Sequence, residues 1–141
     1  MTRAVALDIG TRRIGVALSD SNGTVATPYE VMQRSGDRGR DHRRIGQLVD
    51  EAGAEVVVVG LPFSLDGSIG PAARAILAEV EELRATLAVE VVTWDERLTT
   101  VEAERSLRVM GVKEGNRRRI VDQVAATVIL QSWLDAGPPR G

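Results

Sequence analysis

Residues 55–60 read EVVVVG, four valines in a row closed by a glycine. A strand with one wet face alternates apolar and polar side chains. An unbroken β-branched run fits a strand covered on both faces, which requires helices above and below its sheet. The flanking sequence supplies them. DHRRIGQLVDEAG, 41–53, sets Ile45, Leu48, Val49 and Ala52 at helical spacing, with Gly53 as a stop. A second helix is expected over 71–87, since Pro71 suits a first turn. VEVVTW, 89–94, reads as another buried strand. A helix over 100–111, a VKEGN loop and a last helix over 118–135 follow, the last burying Ile120, Val121, Val124, Val128, Ile129 and Trp133.

The chain before residue 34 has a different rhythm. RAVALDI, 3–9, and RIGVALSD, 13–20, read as strands joined by a tight 10–12 turn. SNG at 21–23 marks a further turn, and a third strand is expected over 24–33. Pro28 places that strand at a sheet edge. The expected fold is therefore α/β: a mixed five-stranded sheet, an antiparallel three-strand meander plus two parallel strands, with helices on both faces. Without repeat or linker, residues 1–136 read as one domain and GPPRG, 137–141, as a disordered tail.

Composition removes several function classes. With 141 residues the chain supports one proper core. It has no cysteine, which excludes disulfides, thiolate zinc sites and cysteine nucleophiles. No apolar run approaches the ~20 residues that span a bilayer, and the start lacks a signal-peptide pattern, so the expected location is cytoplasmic, without a membrane partner. The net charge of −2 gives no global basic field, so nucleic acid would be held by local patches. Lys113 is the only lysine among the 18 Lys and Arg residues.

Three acids stand out by position: Asp8 near the end of the first strand, Glu96 just past the fifth, and Asp122 in the first turns of the last helix. Each has a local reading too. Asp8 fits a strand-end turn, Glu96 a surface pair with Arg97 or Arg12, and Asp122 a helix first turn. Brought together they would repel: two unit charges ~4 Å apart cost about 4 kcal/mol at an effective dielectric near 20. A divalent cation removes that conflict. All-oxygen carboxylate ligands favour Mg²⁺ or Mn²⁺, and such ions serve in-line phosphodiester hydrolysis.

LDIGTRRIGVALSD, VVVGLPFSLDGSIGP, WDERLTTVEAE and VDQVAATVILQSWLD resemble, in order and spacing, the four signature segments of the YqgF/RuvX family. The resemblance implies an RNase H-like fold and a metal-dependent endonuclease using Mg²⁺ or Mn²⁺. It implies processing of the 5′ end of pre-16S rRNA in ribosome biogenesis or, as an alternative, resolution of Holliday junctions. The family's acids fall on Asp8, Glu96 and Asp122. Local sequence does not separate Glu96 from Asp95; the resemblance favours Glu96 and leaves Asp95 as either a support behind the site or a helix N-cap. Arg12, Arg13, Arg97, Lys113, Arg117, Arg118 and Arg119 are the expected nucleic-acid contacts, to structured RNA or branched DNA. A further basic cluster holds Arg34, Arg38, Arg40, Arg43 and Arg44, and His42 among them reads as a surface residue. The protein is expected as a monomer or homodimer. A different class, a non-catalytic or nucleotide-binding domain of the actin/Hsp70-like superfamily, shares the strand–turn–strand of residues 6–19.

Overall fold

A computed structural model describes residues 3–64, 66–98 and 117–137, with backbone alone for residues 98 and 117–123. The elements run β1 (Ala4–Ile9), β2 (Arg13–Ser19), β3 (Ala26–Gln33), α1 (Arg38–Ala52), β4 (Val56–Leu61), α2 (Pro71–Thr86), β5 (Glu90–Asp95), a 3₁₀ turn (Glu96–Leu98) and α3 (Arg117–Asp135). The sheet order is β3-β2-β1-β4-β5, so the first strand is central. β1, β2 and β3 pair antiparallel; β1–β4 and β4–β5 pair parallel. This is the mixed sheet the sequence led us to expect. The expected helix over 100–111 and the loop after it, Lys113 included, lie outside the described residues, as does the tail beyond Gly137.

Two cores explain the valine run. On one face Val5, Leu7, Ile9, Val57, Val59 and Val91 pack with Ile45, Leu48 and Val49 of α1 and Val80 and Leu83 of α2. On the other, Ala4, Ala6, Ala17, Val56 and Val58 pack with Ala126, Ile129 and Leu130 of α3. Every β4 residue is buried. Full burial of a valine side chain is worth about 1.5–3 kcal/mol, so this strand anchors both layers. The α3 face is built of small residues, which lets that helix sit close to the sheet. The same alternation along β1 assigns Asp8 to the α3 face, with Ala4 and Ala6.

The polarity of α3 follows from its contacts. Ile129 lies against Gly60, near the C-terminal end of β4. Farther along, the Gln131 side chain accepts from the Ala26 N–H at 2.9 Å and donates to the Thr24 carbonyl at 3.0 Å, at the opposite end of the sheet. The helix therefore starts beside the C-terminal ends of β1 and β4.

Local boundaries differ from the sequence reading for identifiable reasons. β3 begins at Ala26 rather than 24, because the Asp20 carboxylate takes the Thr24 and Val25 N–H groups at 2.8 and 3.1 Å. Pro28 does lie on the edge strand, beside a bulge where pairing passes from Val16–Glu30 to Ala17–Pro28. α1 starts at Arg38 because Asp37 caps it, accepting the Arg40 N–H at 3.1 Å. The larger correction concerns the basic segment. His42 is not a surface residue: it is 2% exposed, on the inner side of α1. Arg34 and Asp41 are also drawn inward and paired at 3.4 Å, so that stretch is not a uniformly solvated cationic face.

Candidate active site

Asp8 stands half-buried near the end of the central strand. Across the antiparallel ladder its partner is Gly15. On the parallel side Leu7 pairs with Val59, so the next residue, Gly60, lies beside it. The carboxylate is thus flanked by a glycine on each neighbouring strand, and no side chain from either crowds it.

Glu96 approaches Gly60 from the side. It opens the 3₁₀ turn after β5, which runs parallel to β4 with Trp94 opposite Gly60. A Cβ built on Gly60 would stand 3.0 Å from Glu96 Oε1 and 2.5 Å from Ile129 Cδ1. Only glycine at 60 lets helix and carboxylate approach together. Burial raises the Glu96 pKa above its ordinary value, and the negative charges of Asp8 and then Asp95 push it further up. Asp8 and Glu96 therefore share one electrostatic environment.

Asp95 takes another path. It accepts the Arg97 backbone N–H at 2.9 Å and the guanidinium through Nε at 3.1 Å and Nη2 at 2.6 Å. These bonds, the side-chain ones foremost, hold its carboxyl below the usual range. Strand alternation plus this cap separates the two neighbouring acids, one toward Asp8 and one onto Arg97. The Arg97 guanidinium also lies over the Phe63 ring, 5.5 Å from its centroid. It fastens the loop after β4 to the end of β5.

Asp122 occupies the sixth position of α3. It precedes Ile129 by seven residues, about two helical turns. Given the direction of α3, that position lies toward the sheet end carrying Asp8 and Glu96. Its side chain is not among those described, and the described His, Asp and Glu side chains form no metal-binding group of three. Two of the three expected acids are thus brought together, Glu96 feeling the charge of Asp8, while the side chain of the third lies outside those described. Arg12 is exposed in the 10–12 turn and Arg13 begins β2 half-buried. Arg117, Arg118 and Arg119 form the first turn of α3, described as backbone. The sequence reading overlooked Gly60, although alternation from Val56 and Val58 already sets it on the α3 face.

Comparisons with known proteins agree with this architecture. The family pattern described as RuvX, Holliday junction resolvase, matches residues 2–136. A relative from Desulforudis audaxviator, named as a candidate pre-16S rRNA nuclease, is 48% identical over 134 residues, 95% of this chain and 94% of its own. One from Mycobacterium sp. (strain KMS), with the same name, is 49% identical over 134 residues, 94% of this chain and 79% of its own. Among solved structures, Thermus thermophilus RuvC superposes with a TM-score of 0.60 at 18% identity, covering 96% of both chains. T. thermophilus RuvC in complex with a Holliday junction substrate gives 0.58 at 21% identity, covering 97% of both chains. At those identities the solved structures speak to the fold, which is RuvC-like and of the RNase H type.

Proposed function

The chain belongs to the RuvX family of Holliday junction resolvases, and on that premise we propose that it is a metal-dependent endonuclease of structured nucleic acid. Its substrate is the 5′ region of pre-16S rRNA, as the name shared by its relatives suggests. Residues 1–136 form the single nuclease domain. Asp8, Glu96 and Asp122 carry the chemistry.

One observation supports the reading: Glu96 Oε1 lies close over Gly60, the strand neighbour of Asp8, and Asp8's charge raises Glu96's affinity for a proton. A pair that competes for a proton competes equally for a hard cation. An all-carboxylate donor set fits Mg²⁺ or Mn²⁺. When bound, such an ion activates water and stabilises the leaving oxygen of a phosphodiester. The protein's part is to hold the carboxylates fixed and to place the phosphate. Arg12, Arg13, Arg97, Lys113, Arg117, Arg118 and Arg119 are assigned to the phosphate backbone, where guanidinium groups position without reading sequence. Arg97 serves this role partly neutralised by Asp95.

The test is cleavage of a pre-16S 5′-leader RNA, with a four-way DNA junction in parallel, each with Mg²⁺, Mn²⁺ or chelator. Asp8→Asn, Glu96→Gln and Asp122→Asn should each lower cleavage by more than about a hundredfold, since even outer partners of a metal site command 10–100-fold. Wild-type rates in folded variants would remove the assignment. Preference for the junction would transfer the substrate to branched DNA.

A further inference from the structure

On the face of the sheet opposite Asp8 and Glu96, a cluster of charges is buried between α1 and α2. Glu79 of α2 is 4% exposed and Asp41 of α1 is 3% exposed. Glu79 Oε2 lies 2.8 Å from His42 Nε2 and accepts a hydrogen bond from Arg34 Nη2. Asp41 accepts from Ser35 N at 3.0 Å and Ser35 Oγ at 2.8 Å, and faces Arg34 Nε at 3.4 Å. Arg38 adds a longer contact to Glu79, at 3.8 Å. Burial pushes both carboxyls up. The bonds from Arg34 and His42 to Glu79, and from Ser35 and Arg34 to Asp41, outweigh it and hold both below their ordinary values.

What distinguishes the cluster is where Arg34 delivers its remaining bonds. Its Nη1 donates to the Gly10 carbonyl at 3.0 Å, and its backbone N–H donates to the Arg12 carbonyl at 2.8 Å. One residue thus grips both ends of the 10–12 turn, which starts two residues after Asp8. Beside the turn lies a cavity of about 780 Å³, whose lining includes Gly10, Thr11 and Arg12 together with Arg34, Asp41 and Glu79. A planar guanidinium fork, with donors in fixed directions, links the acids to the turn, whereas a lone ammonium cannot reach the same acceptors together.

We propose that Arg34, held by Asp41 and by the Glu79–His42 pair, is a positioning residue that fixes the 10–12 turn and thereby the Asp8 carboxylate and the Arg12 guanidinium. The proposal rests on the reading of Asp8 as a metal ligand. It makes the buried cluster on one face of the sheet a support for chemistry on the other.

Arg34→Lys and Glu79→Gln test it. The first keeps a cation between the two acids, and the second keeps an acceptor oxygen of the same shape, so both variants should fold. Three quantities are measured: amide hydrogen exchange over residues 9–13, Mn²⁺ affinity by calorimetry, and kcat and KM on the leader RNA. The expected result is exchange about tenfold faster across the turn while β4 and α2 keep their protection. Mn²⁺ binding should weaken and kcat fall, each about tenfold, the lower end of what supporting partners of a metal site command. Wild-type exchange in both variants would overturn the proposal. So would faster exchange with unchanged Mn²⁺ affinity. Neither readout needs turnover: a wild-type protein that cleaves nothing would sink the nuclease reading, while exchange and metal affinity would still decide the clamp.

Discussion

In the proposed site, Glu96 would serve function against stability. Its carboxyl has a raised pKa, from burial first and from Asp8 and Asp95 next. Between the ordinary glutamate value and this higher one, the folded protein holds more protons than the unfolded chain. Stability then falls as pH rises through that window. In metal-free protein Glu96→Gln should therefore raise Tm at pH 7, and the gain should vanish below the ordinary glutamate range. Calorimetry at the two pH values checks this; an unchanged Tm at pH 7 would mean the repulsion is absent. Gly60 makes a steric counterpart. Gly60→Ala sets a methyl 3.0 Å from Glu96 Oε1 and 2.5 Å from Ile129 Cδ1. Overpacking of this kind costs about 1–3 kcal/mol. Ile129 can rotate away, but the carboxylate loses its place, so cleavage should fall about tenfold or more. Denaturant melts and single-turnover rates separate the two effects.

Among the elements, α1 and α2 are tied by the Arg34–Asp41–Glu79–His42 cluster as well as by apolar packing. Asp41 and Glu79 have depressed folded pKa values, so their contribution is complete above the ordinary carboxylate range and is lost as pH falls through and below it. Wild-type Tm should drop steeply in that acid range. Arg34→Ala should remove about 3–5 kcal/mol at neutral pH, the usual result of leaving buried charges unpaired, and should flatten the acid drop. Melting curves from pH 3 to 7 measure both. This cluster was also the least legible part of the sequence. Element types could be read: valine runs gave β4 and β5, and 3.6-residue spacing gave α1. The burial of His42 could not, because its partner Glu79 lies 37 residues away on another helix. Start points shifted wherever a side chain claimed backbone N–H groups, as Asp20 does before β3 and Asp37 does at α1. Asp8 was legible from its position on the central strand. Local sequence did not separate Glu96 from Asp95; in the structure, strand alternation and the bonds from Arg97 to Asp95 do.

For the molecule as a whole, two apolar layers of different texture divide the work. The α1/α2 side is filled by branched side chains and a buried ionic clamp. The α3 side sets the alanines of β1 and β2 against Ile129 and Leu130, with Trp94 and Trp133 at its margin. With a net charge of −2 the protein offers nucleic acid no general attraction, so the proposed activity rests on the sheet end carrying Asp8 and Glu96 for both binding and catalysis. Everything functional then turns on whether Asp8, Glu96 and Asp122 act on a common cation. The direct measurement is an anomalous difference map from crystals grown with Mn²⁺ and a non-cleavable leader RNA. The account predicts a peak within about 2.0–2.6 Å of carboxylate oxygens from Asp8 and Glu96, the range of hard-cation coordination, with Asp122 completing the shell directly or through water. A map with no peak between those two side chains, at saturating Mn²⁺ and with substrate bound, would contradict it.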